Sequence, residues 1–146
     1  MRVIFVCTGN TCRSPMAEKL FEDMTKDVEG IEVESRGVMC SEGMPMAFNA
    51  SVTMREMNLD TKHSSKAITK EDIANADYVI TMTASHKMYI EEAFGKNDNV
   101  HTIAELSDSS DVADPYGGNI DVYRACANEL KDKLMKIKDK ILNKIS

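Results

Sequence analysis

The sequence predicts an α/β fold, namely a single three-layer domain over residues 1–146 with a four-stranded parallel sheet and helices on both faces. Short apolar runs alternate along the chain with segments of helical periodicity, which is the pattern of parallel strands joined by crossover helices. The predicted first strand, residues 2–6, carries its apolar side chains in one run rather than at every other position. Such a run is typical of a strand that is buried on both faces.

The amino-terminal half of the chain contains two predicted strands. After the first strand, apolar residues recur at helical spacing across residues 15–25, and Gly30 separates this helix from an alternating strand at 31–35. A second helix is predicted to begin at Pro45, because proline suits the first turn of a helix, and its apolar positions extend to Met57.

The carboxy-terminal half contains the other two strands, at 78–82 and 99–103, with a helix at 84–94 between them. A short helix is predicted to start before the strand at 78–82, with Thr69 as its N-cap and Asp72 at the third helical position. From Asn119 onward, apolar residues repeat at intervals of three and four, which predicts a long final helix. We expect this helix to pack on the sheet, the alternative being a coiled-coil seam.

Composition excludes several classes of function. The net charge of −6 and the pI of about 5.1 argue against nucleic-acid binding, which needs clustered Lys and Arg. Cys7 and Gly9 interrupt the first apolar run, so no signal peptide is predicted, and no apolar run approaches the roughly 18 residues of a membrane span. We therefore expect a cytoplasmic protein without a membrane partner. The four cysteines lack zinc-site spacing, so neither a metal nor a disulfide framework is expected.

The segment with the clearest chemistry is Cys7-Thr8-Gly9-Asn10-Thr11-Cys12-Arg13-Ser14-Pro15, directly after the first strand. Ser14 is predicted to be the N-cap of the next helix and Pro15 its first residue, which directs backbone N–H groups and the positive end of the helix dipole into the loop. An anion is the expected ligand of such a loop.

The side chains of this loop indicate a nucleophile as well. A cation and a helix N-terminus favour the thiolate form of Cys7, and the Arg13 guanidinium matches two oxygens of a phosphoryl group. Gly9 permits close backbone approach, and Asn10 tolerates the left-handed conformation that the curve needs. The alternative is a buried cysteine in an ordinary strand-to-helix turn, but the combination of residues favours a phosphate loop.

Phosphoryl transfer also needs a general acid, and Asp114 is the candidate. It lies in Asp114-Pro115-Tyr116-Gly117-Gly118 at the end of the Ser- and Asp-rich loop 106–118. Pro115 stiffens this turn and Tyr116 is expected to line a pocket. Asp108 and Asp111 are alternatives in the same loop.

These two motifs, in this order, resemble those of the low-molecular-weight protein tyrosine phosphatases over essentially the full chain. The resemblance implies a phosphatase without cofactor or metal, in which Cys7 is the nucleophile that forms a phosphocysteine. It also implies that Asp114 acts first as acid and then as base, and that inorganic phosphate is a product. The phosphate ligands would be Arg13 and the loop N–H groups, so the predicted substrate-binding residues are Thr8, Gly9, Asn10, Thr11, Cys12, Arg13 and Tyr116.

The resemblance also implies supporting roles. Ser14 would donate a hydrogen bond to the sulfur of Cys7, and His63 would hydrogen-bond the loop asparagine, Asn10. Cys12 corresponds to the second loop cysteine of the family, which can trap Cys7 in a disulfide under oxidation and protect it.

The identity of the substrate is predicted from Thr11. Tyrosine-specific members usually carry an aliphatic residue there, whereas Cys-Thr-Gly-Asn-Thr-Cys-Arg-Ser resembles the bacterial protein arginine phosphatases of the same family. Thr81-Met82-Thr83 and the two glycines after Tyr116 indicate the same branch. Protein phosphoarginine is therefore the favoured substrate and protein phosphotyrosine the alternative. An arsenate reductase is more distant, because its additional relay cysteines are missing, and a redox sensor built on Cys7 and Cys12 would be compatible with phosphatase activity.

Overall fold

The sheet has four parallel strands in the order β2-β1-β3-β4. The structure, a computed structural model, describes residues 1–143. The first strand lies in the middle of the sheet, where a strand buried on both faces is expected. The four-stranded parallel sheet of the prediction is thereby confirmed. The strands are β1 (Arg2–Cys7), β2 (Glu32–Gly37), β3 (Tyr78–Thr81) and β4 (Val100–Thr102).

Helices cover both faces of this sheet, as predicted. They are α1 (Arg13–Met24), α2 (Phe48–Glu56), α3 (Lys70–Asn75), α4 (Ala84–Phe94), α5 (Ile103–Ser107) and α6 (Ile120–Asn143). Val3 and Phe5 belong to a core shared with α1, α2, α5 and α6, whereas Ile4 and Val6 belong to a second core with α3 and α4. Alternate residues of β1 therefore face different layers, which explains its uninterrupted apolar run.

The long helix α6 packs against α1, α2 and α5. Its buried residues repeat at the predicted intervals and belong to the larger core. The apolar face of α6 therefore packs against other elements of the same chain. No helix within residues 1–143 is both long and apolar enough to cross a membrane.

The structure corrects two predicted helix starts. Helix α1 begins at Arg13 with Cys12 as its N-cap, so the prediction of Ser14 as N-cap and Pro15 as first residue was wrong. The reason is that the amide of Met16 already donates to the carbonyl of Cys12, at 3.1 Å. The Ser14 hydroxyl contacts the sulfur of Cys7 instead.

Helix α2 begins at Phe48 rather than at Pro45. Ala47 is extended, with φ −54° and ψ 145°, and its N–H donates to the carbonyl of Thr11 at 2.9 Å. This hydrogen bond attaches the stretch before α2 to the predicted phosphate loop and competes with helix formation there.

A capping box accounts for a third difference, the short helix α5, which begins within the strand predicted at 99–103. The hydroxyl of Thr102 accepts from the amide of Glu105, whose carboxylate accepts from the amide of Thr102. The equivalent box at Thr69 and Asp72, which the sequence did predict, is present at the start of α3.

Candidate active site

Most of the predicted catalytic and substrate-binding residues line one cavity of about 220 Å³. It lies where β1 ends and α1 begins, the end of a parallel strand at which ligands commonly bind in α/β folds. Asp114, far away in the sequence, lines the same cavity as Cys7 and Arg13. The lining residues are Cys7, Thr8, Gly9, Thr11, Cys12, Arg13, Asp114 and Tyr116.

Asn10 shapes the loop from behind and does not line the cavity. It has φ 56° and is completely buried, so the predicted left-handed conformation is confirmed. Its side-chain amide donates to the hydroxyls of Ser14 (2.8 Å) and Ser35 (3.0 Å), and its side-chain oxygen accepts from the amide of Lys66 (3.0 Å). All hydrogen-bonding atoms of this side chain are thus used to hold the curve of the loop.

The same network orients the Ser14 hydroxyl. Its oxygen lies 2.9 Å from the sulfur of Cys7 and accepts from Asn10, while the carbonyl of Arg36 is 3.3 Å away. Because Asn10 occupies an acceptor position, the hydroxyl proton remains for donation to Cys7 or Arg36. A donor aimed at the sulfur stabilises a thiolate.

Arg13 connects the loop to the segment that carries Asp114. It is buried, and its guanidinium donates to the carbonyl of Val112 at 3.0 Å. The other terminal nitrogen lies 3.7 Å from a carboxylate oxygen of Asp114. The cation that would bind a phosphoryl group therefore also contacts the segment that carries the acid.

The structure distinguishes the three carboxylates that the sequence left open. Asp114 lines the cavity with 53% of its side chain exposed. Asp111 accepts a hydrogen bond from the amide of Ala84, and Asp108 is 87% exposed and paired with Lys140. Neither Asp108 nor Asp111 is among the residues that line the cavity, so Asp114 is the carboxylate placed to act there.

Tyr116 lies at the rim of the cavity and is 80% exposed. Its amide donates to the Asp114 carboxylate at 3.1 Å, and the amide of Gly118 closes the turn on the carbonyl of Pro115 at 2.9 Å. This turn holds Tyr116 beside Asp114 and leaves its ring free to contact a ligand.

His63 and Cys12 take the positions expected of supporting residues. The Nε2 atom of His63 lies 2.6 Å from the carbonyl oxygen of Asn10, so the predicted contact with Asn10 is made through the backbone. Burial lowers the pKa of His63. Cys7 and Cys12 are both free thiols, and the sulfur of Cys12 lies 3.4 Å from the hydroxyl of Tyr123. Burial raises the pKa of Cys12, and its predicted redox role stays a prediction.

Two further residues that contact the loop were not predicted from the sequence. Gly37, at the end of β2, lies so close that a Cβ atom there would be 2.7 Å from the carbonyl oxygen of Thr8. His86, on α4, is buried with its Nε2 atom 2.8 Å from the hydroxyl of Thr8. A glycine at a strand end hints at close approach, but nothing in the spacing of His86 indicates a contact with Thr8.

His86 makes the stability of the protein depend on pH. Burial, followed by the charge of Arg13, lowers its pKa from 6.5 to about 4, although Asp111 and Asp114 act in the opposite direction. Between these values the unfolded chain binds a proton that the folded protein does not, so acidification favours unfolding. We expect the free energy of unfolding of the wild type, measured relative to that of His86→Gln, to fall by up to about 3 kcal/mol from about pH 7 to pH 4.5.

Urea denaturation of both proteins across this pH range tests the expectation. The His86→Gln variant controls for every other titrating group, including Glu22, whose pKa burial raises to about 7. Parallel stability profiles for the two proteins would contradict a depressed pKa at His86.

Comparison with known proteins agrees with this geometry. The family model for low molecular weight phosphotyrosine protein phosphatase matches residues 2–146. A protein-arginine-phosphatase of Geobacillus stearothermophilus is 40% identical over 143 residues, covering 96% of this chain and 95% of the relative. The low molecular weight protein-tyrosine-phosphatase PtpB of Staphylococcus haemolyticus is 35% identical over 131 residues, covering 89% of this chain and 92% of that protein.

Among solved structures, a variant of YwlE arginine phosphatase with a phosphorylated active-site serine superposes with a TM-score of 0.91. It is 39% identical and covers 97% of this chain and 95% of its own. Both the sequence and the fold match, and the chain belongs to the low molecular weight phosphotyrosine protein phosphatase family.

Proposed function

We propose that this chain is a protein phosphatase that works through a phosphocysteine intermediate and favours phosphoarginine in proteins. The observation that carries the proposal is the convergence of Cys7, Arg13 and Asp114 on one small cavity. Because the family model spans residues 2–146, we treat the chain as one catalytic domain. We also propose a cytoplasmic location and phosphorylated proteins as partners.

The first chemical step is transfer of the phosphoryl group to Cys7. The loop N–H groups and Arg13 bind the non-bridging oxygens, and the thiolate of Cys7 forms an S–P bond as the P–N bond to arginine breaks. Asp114 delivers a proton to the departing nitrogen, so arginine leaves as its guanidinium cation rather than as the strongly basic neutral guanidine.

The second step returns the enzyme to its starting state. Asp114, now a carboxylate, accepts a proton from water as the water oxygen attacks phosphorus and the S–P bond breaks. Inorganic phosphate leaves, and the hydroxyl of Ser14 stabilises the returning thiolate across 2.9 Å. The phosphorylated active-site serine of the YwlE variant supports a covalent intermediate at the equivalent point of the fold.

Two features support phosphoarginine as the substrate. Thr11 lines the cavity, and its hydroxyl offers a flat guanidinium group a polar contact that an aliphatic side chain would not. The half-exposed carboxylate of Asp114 lies at the same cavity and is suited to pair with that cation. The arginine phosphatase relative, at 40% identity, supports this assignment, whereas the PtpB relative keeps phosphotyrosine as the second candidate.

Substitution of Thr11 tests the choice between these substrates. In Thr11→Ile, we expect the preference for phosphoarginine over phosphotyrosine peptides, measured as the ratio of kcat/KM values, to fall at least about tenfold. The added apolar surface favours an aromatic ring, and the loss of the hydroxyl removes a contact to the guanidinium.

Thr11→Val is the matched control, because it keeps the β-branch and removes only the hydroxyl. A loss of preference in both variants would assign selectivity to the hydroxyl, and a loss in Thr11→Ile alone would assign it to shape. An unchanged ratio in both variants would exclude Thr11 as the selecting residue.

A further inference from the structure

We propose that Lys133 is a positioning residue for proton transfer, which anchors the acid-bearing segment 108–118 to the rigid helix α6. The inference rests on the proposed phosphatase function, in which Asp114 is the general acid. Lys133 lies outside the cavity and would act through the backbone that leads to Asp114.

The side chain of Lys133 is only 8% exposed, which is unusual for lysine. Its ammonium group donates to the carbonyl of Ser110, and lies 3.4 Å from both the Ser110 hydroxyl and the Asp111 carbonyl. The carboxylate of Glu129, one turn earlier on α6, is 2.7 Å away. The buried charge is thus compensated by one carboxylate and by the backbone of the acid-bearing segment.

Burial of an ammonium group is costly, and an apolar side chain of similar length would fill the same space without that cost. What the ammonium group adds is a set of directional hydrogen bonds to the carbonyl groups of two consecutive residues, Ser110 and Asp111. Helix α6 is a suitable anchor, because Leu130, Leu134 and Ile137 around Lys133 are completely buried in the core.

The attachment lies immediately before a second set of contacts. The amide of Val112 donates to the carbonyl of Met82 at 3.0 Å, and the carbonyl of Val112 accepts from Arg13 at 3.0 Å. Asp114 follows two residues later, where its carboxylate contacts the amide of Tyr116 and the more distant guanidinium of Arg13. The position of the carboxylate is therefore set largely by the anchored residues 110–112.

Loss of this anchor should affect proton donation more than nucleophilic attack. Attack depends on the loop 7–13, which Lys133 does not contact directly and which is joined to the anchored residues by the hydrogen bond from Arg13 to Val112. Proton donation depends directly on the placement of Asp114. A small displacement of a catalytic group can lower a rate by as much as about a hundredfold. The loss should be largest for leaving groups that need the proton most.

The test uses aryl phosphates as probes, comparing phenyl phosphate, whose leaving group is as basic as tyrosine, with the more acidic leaving group of p-nitrophenyl phosphate. Both probes form the same phosphocysteine, so the leaving group affects only the transfer to Cys7, which kcat/KM reports. For Lys133→Met we expect kcat/KM to fall about tenfold or more with phenyl phosphate, and less than about threefold with p-nitrophenyl phosphate. Lys133→Arg should recover part of the loss, because it retains a buried donor cation. Lys136→Met, at an exposed position on the same helix, should leave both rates unchanged.

A double-variant cycle separates positioning from general destabilisation. In an Asp114→Asn background there is no acid to misplace, so Lys133→Met should then have little further effect on either substrate. Lys133→Gln provides a milder change if the methionine variant fails to fold. Equal losses with both substrates, or full additivity with Asp114→Asn, would overturn the inference. An inactive wild type would instead overturn the proposed function.

Discussion

Replacement of Cys7 by serine is expected to lower phosphatase turnover by about 10⁴-fold or more, because an alcohol is a far weaker nucleophile than a thiolate near neutral pH. The groups around residue 7 would not compensate for the loss of the thiol. The donor of Ser14 at 2.9 Å and the guanidinium of Arg13 favour an anion, but a serine hydroxyl stays protonated. Steady-state rates on phosphoarginine peptides and on p-nitrophenyl phosphate measure the loss.

Substrate binding should survive this change. The loop N–H groups and Arg13 remain. A non-hydrolysable phosphopeptide analogue should therefore bind Cys7→Ser with near wild-type affinity in calorimetry. Cys40→Ser is the matched control, since Cys40 is also a free thiol but is not among the residues that line the cavity. Comparable losses in both variants, or full activity in Cys7→Ser, would refute the assignment of Cys7 as nucleophile.

Replacement of Asp114 by asparagine should produce the second-largest effect, a fall in kcat of about 10² to 10⁴ with little change in KM. Asparagine preserves the size of the side chain and an oxygen that can accept from the amide of Tyr116, but it supplies no proton. The loss in kcat/KM, which reports the transfer to Cys7, should grow with the basicity of the leaving group and be larger for phenyl phosphate than for p-nitrophenyl phosphate.

The alternative carboxylates of the same segment provide the control. Asp108→Asn removes a highly exposed charge that is paired with Lys140 away from the cavity. We expect its turnover to stay within about twofold of wild type, as is usual for surface substitutions. A larger loss in Asp108→Asn than in Asp114→Asn would transfer the role of acid to Asp108.

The predictions that succeeded concern residues close together in the sequence. The loop from Cys7 to Ser14 could be interpreted from local chemistry, since an asparagine in the left-handed conformation and a helix start directly after a buried strand define the curve. The capping box at Thr69 was predicted on the same basis. Even here, Ser14 was misassigned as an N-cap, because contact with Cys7 and Asn10, rather than the helix start, determines where its hydroxyl points.

Most features that escaped prediction join distant parts of the chain, and the local capping box of α5 is an exception. His86 contacts Thr8 across 78 positions, and Arg13 reaches the carbonyl of Val112 across 99. The start of α2 was also displaced by a distant partner, the carbonyl of Thr11. In each case the hydrogen-bonding group has no neighbour in sequence that indicates its partner.

Some features of this protein are therefore determined by neighbouring residues, and others by contacts between distant parts of the chain. The order of strands and helices, the phosphate loop and the presence of a thiol, a guanidinium and a candidate acid follow from residue types and their spacing, because backbone preference and hydrophobic periodicity act over a few neighbouring residues. The Asp-Pro turn and the family resemblance already indicate Asp114, but the absence of Asp108 and Asp111 from the cavity lining and the contact of Lys133 with residues 110–111 depend on how α6 and the end of β3 pack beside the loop. Packing of elements far apart in the chain sets these distances, and no local pattern encodes them.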